Sequence, residues 1–460
     1  MTTTSAPLSV VILAAGRGTR MKSRLPKVLQ TLAGRPLLGH VLELGATLSA
    51  EQTVIVYGHG GDAVKAAFDD PALRWAEQAE QLGTGHAVLQ AMDQIDPSHR
   101  VLILCGDVPL LTLETVRRLL DETPNDAVGV LTVRTPKPHG YGRIVRNDNN
   151  HVVAIVEQKD ASEAQQAIDE INSGVFVVPA ALLDQWLRAI EPKNAQGEYY
   201  LTDIVGLAAN DDVAVHGVVG DDIEEITGIN DRIQLAEAEC IFQRRAVNAL
   251  MREGVQVADP YRVDIRGKVT VGQDVFLDVN TVLIGDVTLG DGAKIGPNCV
   301  VIDSTIGAET ELFPNCVVEQ STIGAHSLIG PFARLRPLNE LADRTKVGNF
   351  VELKKSVIAE GSKVNHLTYV GDSLVGKNVN IGAGTITCNY DGANKHQTII
   401  GDGAFIGSGV ELVAPVEIGT GATIGAGSTI SKSAPDHQLT LERARQRSIE
   451  GWERPVKKPK

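Results

Sequence analysis

Aliphatic residues recur every six positions over much of the second half of the chain, from about Ile265 to Ser431. One series contains Val271, Leu277, Leu283, Leu289, Ile295 and Val301, and another contains Ile400, Ile406, Leu412, Ile418, Ile424 and Ile430. A period of six fits neither the helix of about 3.6 residues per turn nor simple strand alternation, and it is typical of hexapeptide repeats. The pattern predicts a parallel β-helix, a prism of about nine stacked coils.

Two further features of the repeat predict how each coil is built. A glycine commonly follows the aliphatic residue, and we expect it to supply permissive backbone angles at a tight corner. These glycines are Gly272, Gly290, Gly296, Gly407, Gly419 and Gly425. A small residue stands four places after the aliphatic one, which fits a narrow interior: Ala293, Cys299, Thr310, Cys316, Ser327, Ala333, Ala404, Ala422 and Ser428. The stretches 336–346 and 387–398 break the period and predict interruptions of the prism.

The first half of the chain alternates short aliphatic runs with helical patterns. The predicted strands are 10–13, 53–56, 101–104, 127–133, 152–156 and 174–178, and the predicted helices include 36–48 and 113–122. This alternation predicts an α/β, Rossmann-like domain with a mostly parallel sheet covered on both faces. Ligands of such sheets bind beyond the carboxyl ends of the strands, so the residues after Leu13 and Leu104 are candidates for a site.

A long amphipathic pattern separates the two halves. It covers 231–253 and stops at Gly254, which predicts one helix. We therefore expect three parts: an α/β nucleotidyltransferase domain over 1–232, a helical linker over 233–253, and a β-helix domain with a polar C-terminal tail over 254–460.

Charge and cysteine content narrow the function classes. A formal net charge of −14 argues against nucleic-acid binding, which needs clustered Lys and Arg. The apolar run 8–16 follows no Lys or Arg and is far shorter than the roughly 20 residues that span a bilayer, so no membrane insertion is expected. The five cysteines lack C-x-x-C spacing, which predicts neither a disulfide framework nor a zinc site and favours a reducing, cytoplasmic location.

The first candidate site follows the first predicted strand. Ala14, Ala15, Gly16 and Gly18 lack bulk, so backbone N–H groups here could approach phosphates. Met21 replaces the third glycine of the dinucleotide fingerprint, and no Walker loop is present. A plain strand-to-helix turn remains the alternative.

Charged and amide side chains add chemistry to this site. Arg17 and Lys27 could offset negative charge that builds up between phosphates. Asp107, past the strand 101–104, and Asn230 offer the hard oxygen ligands that Mg²⁺ prefers. Taken alone, the sequence favours a structural role for both residues, a turn at Asp107 and a helix N-cap at Asn230.

The second candidate site surrounds the breaks in the repeat. A lone histidine in a repeat protein is more often a packing residue than a catalyst. His366, however, lies within one coil of Lys354 in sequence, so stacking could bring it near two cations, Arg336 and Lys354. This predicts a phosphate site beside a titratable base. The second break contains Asn389 and Tyr390 and is polar and turn-rich, which a pure scaffold does not need.

These motifs together resemble one family. The run from Gly16 to Arg20, with Pro26-Lys27 after it, is similar to the signature of sugar-1-phosphate nucleotidylyltransferases. Further matching motifs are 78–87, 140–143 and 171–174, and the β-helix follows them. The whole chain resembles the family of bifunctional bacterial N-acetylglucosamine-1-phosphate uridylyltransferases/glucosamine-1-phosphate N-acetyltransferases.

The resemblance implies a left-handed β-helix that forms a homotrimer, with an acetyl site between subunits. It implies Mg²⁺ as cofactor and UTP and acetyl-CoA as co-substrates. The partners it implies are small-molecule sugar phosphates and nucleotides.

For the uridylyl site, the resemblance implies Arg17 and Lys27 as catalytic residues and Asp107 with Asn230 as the metal ligands. The implied substrate contacts are Leu13, Ala14, Ala15, Gly16, Lys27, Gln78, Gly83, Thr84, Cys105, Gly106, Asp107, Gly142, Glu157, Asn172 and Asn230. Among them, Leu13 to Gly16, Gln78, Gly83 and Thr84 would hold the uridine part, and Gly142, Glu157 and Asn172 the amino sugar. Relatives carry other residues at position 105, tyrosine among them, so only the backbone of Cys105 is expected to act.

For the acetyl site, the resemblance implies His366 as the general base. Arg336 and Lys354 match phosphate ligands, and Tyr369 and Asn380 match sugar contacts. The implied acetyl-CoA contacts are Ala383, Asn389, Tyr390, Ser408, Ala426 and Arg443.

Three hypotheses follow. The first is an enzyme with two active centres. The second is a sugar-1-phosphate nucleotidylyltransferase whose β-helix only assembles or regulates it, and the third is a binding subunit without catalysis. His366 with Arg336 and Lys354 argues against the second, and Arg17, Lys27 and Asp107 argue against the third.

Overall fold

The computed structural model of the protein describes residues 6–457, so the first five and last three residues of the predicted outer domains lie outside the described part. The chain divides into two compact units, Met1–Phe242 and Gln243–Lys460. The division falls within the long helix, and the predicted linker over 233–253 stays a prediction.

The first unit alternates strands and helices, as the sequence predicts. Its strands are β1 (Leu8–Ala14), β2 (Thr31–Leu32), β3 (Arg35–Pro36), β4 (Gln52–Tyr57), β5 (Leu73–Glu77), β6 (Arg100–Cys105), β7 (Val128–Arg134), β8 (Arg143–Arg146), β9 (Val152–Val156), β10 (Glu170–Pro179) and β11 (Val215–Gly220). Its helices are α1 (Leu37–Thr47), α2 (Gly61–Ala67), α3 (Thr84–Met92), α4 (Leu113–Glu122), α5 (Glu163–Gln166), α6 (Ala180–Ala189) and α7 (Asp203–Asn210). Short 3-10 helices span Thr19–Met21, Lys27–Leu29 and Ile223–Ile226.

The main sheet has the strand order β11-β7-β10-β6-β1-β4-β5, with the hairpin β8–β9 joined beside β10. Strand β10 runs antiparallel to both β6 and β7, and the other neighbours along this order are parallel. The prediction of a mostly parallel sheet is confirmed. The carboxyl ends of β1, β4 and β6 therefore lie along one edge of the sheet.

Both faces of the sheet are buried. Successive residues of β1 alternate between two cores, with Val11 in one and Val10 and Ile12 in the other. Helices α3, α6 and α7 cover the first core, while α1 and α4 cover the second. This explains why the strands read as continuous apolar runs rather than as alternating ones.

The long helix α8 spans Arg232–Arg252, in agreement with the prediction. The Asp231 carboxylate accepts hydrogen bonds of 2.9 Å from the backbone N–H groups of Ile233 and Gln234. Gly254 follows the helix with a φ of 102°, which suits glycine as a stop signal. The N-cap is thus Asp231, and the capping role considered for Asn230 is wrong.

The second unit is a parallel β-helix. One face is an 11-stranded sheet of Gln256–Val257, Phe276–Leu277, Lys294–Ile295, Glu311–Leu312, Leu328–Ile329, Lys346–Asn349, Lys363–His366, Asn380–Ile381, Phe405–Ile406, Thr423–Ile424 and Leu439–Thr440. The other faces form a joint 17-stranded sheet of Val263–Val271, Thr281–Leu289, Val300–Ile302, Thr305–Ile306, Val317–Glu319, Ser321–Ile323, Arg334–Leu335, Asn339–Leu341, Glu352–Lys354, Val357–Ile358, Tyr369–Gly371, Ser373–Val375, Ile386–Cys388, Thr398–Ile400, Glu411–Val413, Val416–Ile418 and Thr429–Ile430.

The interior of the prism matches the expected aliphatic ladder. Leu277, Ile295 and Leu312 occupy equivalent positions in successive coils and are buried completely. The small residues four places after the aliphatic ones, from Ala293 to Ser428, are at most 1% exposed. The prediction of a narrow interior lined by small residues is confirmed.

The role expected for the repeat glycines is wrong. The glycines that follow the aliphatic residues do not have positive φ angles. A Cβ added at Gly290 would lie 2.6 Å from the backbone nitrogen of Ala308, and one at Gly407 would lie 2.5 Å from that of Ala426. Glycine is required here because the next coil stacks too closely for any side chain.

The two predicted interruptions differ in kind. Strand Asn339–Leu341 lies inside the first one and pairs with both neighbouring coils, and Asn339 meets Ser321 at the ordinary spacing of 18 residues. The predicted interruption at 336–346 is therefore wrong. Across the second one the spacing rises to 25 residues, as between Lys377 and Asp402, so a loop has been inserted there.

Among residues 6–457, none of the helices combines the length and the apolar character required to cross a bilayer.

The stacked interior predicts an asymmetric response to mutation within one strand. Ile295→Ala should lower the free energy of unfolding of the β-helix by about 2–5 kcal/mol, because it leaves a cavity between coils. Lys294→Ala, at the exposed neighbouring position, should change it by less than about 0.5 kcal/mol. Urea unfolding followed by far-UV circular dichroism measures both, and equal effects of the two variants would contradict the packing described.

Candidate active sites

A cleft of about 310 Å³ opens at the carboxyl edge of the sheet of the first unit. It is lined by Leu13, Ala14, Ala15, Gly16, Lys27, Val28, Gln78, Gln81, Gly83, Thr84, Ala87, Cys105, Asp107 and Glu198. All seven residues predicted for the uridine part of the substrate thus meet in one place. Their functional roles stay predictions.

Two glycines give this cleft its shape. No atom lies within 4 Å of a Cβ built at Gly16, which leaves its backbone open to a ligand. Gly18 has a φ of 57°, and a Cβ there would lie 2.6 Å from Cβ of Lys27. The glycine-rich turn therefore both exposes backbone and lets Lys27 pack against it.

The amide of Gln78 has a fixed orientation. Its side chain is 3% exposed, and Nε2 donates to the carbonyl oxygen of Gly83 at 3.0 Å and lies 3.1 Å from Nδ1 of His86. With its nitrogen engaged in this way, the group that Gln78 offers to a ligand is its amide oxygen, a hydrogen-bond acceptor.

Three predicted site residues converge on one point. The ammonium of Lys27 forms an ion pair with the Asp107 carboxylate and donates to Oδ1 of Asn230 at 3.1 Å. Two hard oxygens thus face one cation, as a Mg²⁺ site that completes its shell with substrate oxygens and water requires. No cluster of three or more His, Cys, Asp or Glu suited to a metal occurs in the described part of the chain.

Arg17 does not line the cleft. Its Nε donates to Oε1 of Gln81 at 3.1 Å in an exposed position, and the Gln81 amide in turn donates to the backbone oxygen of Gln78. Arg17 is therefore tethered at the rim, beside the residues that form the cleft wall. Its catalytic role stays a prediction.

A second cleft of about 410 Å³ shares Cys105 and Asp107 with the first. Beside it lie the three residues predicted to hold the sugar. The backbone N–H of Asn172 donates to the oxygen of Gly142 at 2.9 Å, and a Cβ at Gly142 would lie 3.3 Å from Oε1 of Glu157. The tertiary structure thus brings this trio together from three separate strands or loops.

Burial perturbs two ionisable groups here. It raises the pKa of Glu157, against a hydrogen bond of 3.3 Å from Thr202 that favours the charged form. Burial also raises the pKa of the Cys105 thiol to about 12, and the Asp107 carboxylate acts in the same direction. The thiol is neutral at physiological pH, which fits the expectation that only the backbone of Cys105 acts.

In the β-helix, His366 stands at a corner of the prism and pairs with Asn349 of the preceding coil. Backbone hydrogen bonds continue this corner through the later coils. The N–H of Gly384 donates to the carbonyl oxygen of His366 at 3.2 Å, that of Gly409 to Ala383 at 2.7 Å, and that of Gly427 to Ser408 at 2.8 Å. We call the set Asn349, His366, Ala383, Ser408 and Ala426 the corner column. A Cβ at Gly427 would lie 3.9 Å from Cδ of Arg443, so Arg443 lies beside its upper end.

The two cations lie along the far edge of the adjoining face. The backbone N–H of Arg336 donates to the oxygen of Leu353, which places Arg336 and Lys354 in neighbouring coils. Tyr369 follows on the next coil, opposite Glu352. An ion pair of 3.0 Å joins Arg336 to Glu352. The predicted phosphate ligands and Tyr369 thus share one face, and His366 stands at the corner that adjoins it.

Two further predicted site residues lie on another face of the prism and in the inserted loop. Asn380 belongs to the 11-stranded face, where it pairs with Lys363 and Phe405. Tyr390 lies in the inserted loop, is 56% exposed, and carries the ammonium of Lys395 at 4.2 Å from its ring centroid. Within one chain, Asn380 therefore lies on a different face from Arg336 and Lys354.

Sequence reasoning missed Asn349. Its Oδ1 lies 2.9 Å from Nδ1 of His366, so Nδ1 carries the proton and Nε2 is left as the basic nitrogen. The signal was available, because Asn349 precedes His366 by 17 residues, the length of one coil. Asp372, which binds Asn389, was missed as well, although it precedes Asn389 by the same 17 residues.

Comparison with known proteins matches both halves of the chain. A model of the MobA-like NTP transferase domain matches residues 10–196, and one of bacterial transferase hexapeptide repeats matches residues 268–303 and 397–432. A bifunctional protein GlmU of Marinobacter nauticus is 52% identical over 452 residues, which cover 98% of this chain and 100% of that protein.

Relatives of the same name occur in other bacteria. The protein of Nitrosospira multiformis is 52% identical over 98% of this chain and 99% of its own length. That of Ralstonia pickettii is 53% identical over 98% of this chain and 100% of its own length.

The buried carboxyl group of Glu157 predicts a pH-dependent effect on stability. Its folded-state pKa is raised, so this group destabilises the fold increasingly as pH rises through that pKa. Glu157→Gln should therefore melt at a higher temperature than the wild type at pH 7, and the difference should vanish towards pH 4. Thermal unfolding across this range measures it. The exposed Glu163→Gln serves as control, and a variant that is less stable at pH 7 would contradict the assignment.

Proposed function

Since this chain belongs to the family of the bifunctional GlmU proteins, we propose that it catalyses two steps of UDP-N-acetylglucosamine synthesis. The β-helix domain transfers an acetyl group from acetyl-CoA to glucosamine-1-phosphate. The α/β domain then transfers UMP from UTP to N-acetylglucosamine-1-phosphate and releases pyrophosphate. The proposed parts are the uridylyltransferase domain over 1–232, the linker over 233–253 and the acetyltransferase domain over 254–460.

One observation carries the assignment of a second active centre. Asn349 orients the imidazole of His366 at a corner of the prism, and the face that adjoins this corner holds Arg336 and Lys354. An assembly domain needs neither an oriented imidazole nor two adjacent cations. The alternative of a nucleotidylyltransferase with a purely structural β-helix is disfavoured for this reason.

At the uridylyl centre, a phosphate oxygen of the sugar phosphate attacks the α-phosphorus of UTP. The bond to the bridging oxygen breaks, and pyrophosphate leaves. Lys27 and Arg17 offset the charge that accumulates, and the open backbone at Gly16 admits the phosphates. The Gln78 amide oxygen accepts the N–H of the uracil ring, a donor that cytosine lacks at that position. Asp107 and Asn230 would hold Mg²⁺, which neutralises phosphate charge when bound.

At the acetyl centre, the amino group of glucosamine-1-phosphate attacks the thioester carbonyl carbon. A C–N bond forms, the C–S bond breaks, and coenzyme A leaves as the thiol. Nε2 of His366 takes the proton that the amine loses, a contribution of about 10²–10⁴-fold. Arg336 and Lys354 hold the sugar phosphate, and the corner column above His366 receives acetyl-CoA.

We also propose a homotrimer with the acetyl site between subunits. Asn380 supports this arrangement, because it belongs to a different face from Arg336 and Lys354 and would reach the sugar from a neighbouring copy. The exposed apolar side chains of Leu328 and Phe405 on the same face as Asn380 would be covered in such an assembly. The cysteines of the chain are free, as expected in the reducing cytoplasm, which is the location we propose.

The two centres predict separable loss of function. His366→Ala should abolish most acetyl transfer to glucosamine-1-phosphate and leave UTP-dependent pyrophosphate release intact. Asp107→Ala should do the reverse. Assays of both reactions on each variant measure this, with the exposed His326→Ala as a matched control on the same β-helix.

Intact acetylation by His366→Ala would show that the assignment of the base is wrong. A wild type without acetylation would favour the alternative in which the β-helix only assembles the enzyme.

The ion pair of Lys27 predicts competition with a divalent cation. The Lys27 ammonium and a metal ion cannot both occupy the space between Asp107 and Asn230. Lys27→Met should raise the affinity of the nucleotide-free protein for Mn²⁺ by about tenfold or more. Electron paramagnetic resonance of free Mn²⁺ measures this without any turnover. The exposed Lys22→Met is the control, and equal affinity of wild type and Lys27→Met would contradict the shared position.

A further inference from the structure

A carboxylate that plays no part in the proposed reaction lies at the base of the inserted loop. The Asp372 side chain is 12% exposed. Its Oδ2 accepts a hydrogen bond of 2.6 Å from Nδ2 of Asn389, and its Oδ1 lies 3.8 Å from the ammonium of Lys355. The backbone N–H of Asp372 donates to the carbonyl oxygen of Lys354, so Asp372 lies one coil above Lys354, at the edge of the face that carries Arg336 and Lys354.

Tyr369 and Gly371 pack tightly against the Asp372–Asn389 pair. Tyr369 folds across Gly371, where an added Cβ would lie 2.3 Å from the tyrosine Oη and 2.7 Å from Nδ2 of Asn389. The same Nδ2 lies 3.4 Å from Tyr369 Oη. Glycine at 371 is therefore required for Tyr369 and Asn389 to meet, and Asn389 itself is 5% exposed.

The chemistry of a carboxylate fixes which way the Asn389 amide faces. An ionised carboxylate only accepts hydrogen bonds, so the amide group beside it must be the nitrogen and not the oxygen. Among residues 6–457, no group donates to the Asn389 amide oxygen, and that oxygen is not among the fully buried polar atoms without a partner. It is left as an accessible acceptor beside Tyr369.

We infer that Asp372 is a positioning residue that holds the Asn389 oxygen towards a hydrogen-bond donor of the bound substrates. The inference rests on the proposed acetyl transfer. Two donors of the same N–H class are available in that reaction: the amino group of glucosamine-1-phosphate and the amide N–H groups of the pantetheine arm of acetyl-CoA. If the Asp372 carboxylate is lost, the amide can flip, and its nitrogen then faces the donor and repels it.

A purely structural role of Asp372 has different consequences. If it only closed the base of the inserted loop, its loss would lower the melting temperature and reduce acetyl transfer without regard to either substrate. The positioning role instead predicts a change in the kinetic constants for the substrate that carries the N–H donor, at an unchanged melting temperature.

The test uses the full-length enzyme and three variants: Asp372→Ala, Asn389→Asp and the exchanged double variant Asp372→Asn/Asn389→Asp. The double variant restores one amide N–H that donates to one carboxylate, with an oxygen of residue 389 still directed outward. Uridylyl transfer by the other domain serves as an internal measure of intact protein. The kcat and KM of acetyl transfer are determined separately for glucosamine-1-phosphate and acetyl-CoA.

We expect each single variant to lose about ten- to hundredfold in kcat/KM of acetyl transfer, with uridylyl transfer unchanged. The double variant should recover most of this loss. A rise in KM for acetyl-CoA alone would place the donor on the pantetheine arm. A fall in kcat with a rise in KM for glucosamine-1-phosphate would place it on the amino group.

Wild-type kinetics in all single variants would overturn the inference, and so would a double variant as impaired as Asn389→Asp while its melting temperature is normal. If Asn389→Asp fails to fold, Asp372→Ala decides alone through the same kinetic constants. A wild type without acetyl transfer would refute the proposed function itself, which is a distinct result.

Discussion

The stacking of one coil on the next is the constraint on which the second half of this protein depends. Each short strand finds its backbone partners only in neighbouring coils, so the chain advances by 17 or 18 residues per coil. Any two residues at that separation become neighbours. Asn349 and His366 meet for this reason, and Ala383 follows on the next coil. A site of distant residues is thereby assembled on a frame that tolerates little change in register.

The first half relies on a different geometric rule with a similar effect. Parallel strands β1, β5 and β6 end at one edge of the sheet, and the turns after them carry Gly16, Gln78 and Asp107 to a common cleft. Lys27 and Asn230 approach the same point from far along the chain. Their contact with Asp107 sets one cation, Lys27, against one carboxylate, so the acidic side chain here is neutralised in a protein of formal net charge −14.

The orientation of side-chain amides is a common theme in both sites. The amide nitrogen of Gln78 is hydrogen-bonded to Gly83 and His86, and that of Asn389 is hydrogen-bonded to Asp372. Each side chain is therefore left with its amide oxygen for a ligand. Asn349 uses its oxygen to fix the proton of His366 on Nδ1. For Gln78 and Asn389, a neighbour that can only accept, a carbonyl oxygen or a carboxylate, decides which end of the amide is left for a ligand. The selectivity for N–H donors that we propose would follow from these neighbours as much as from the amides themselves.

The sequence by itself determined the two architectures, because their periods are local and strong: six residues for the β-helix and alternating strands and helices for the α/β domain. It also determined the motifs around Gly16 and His366. Only the tertiary structure decided that Asp231 rather than Asn230 caps the long helix, that the repeat glycines serve close stacking, and that the stretch 336–346 does not break the prism. Such features depend on which atoms of other coils or loops lie nearby, and neither spacing nor composition encodes that distance.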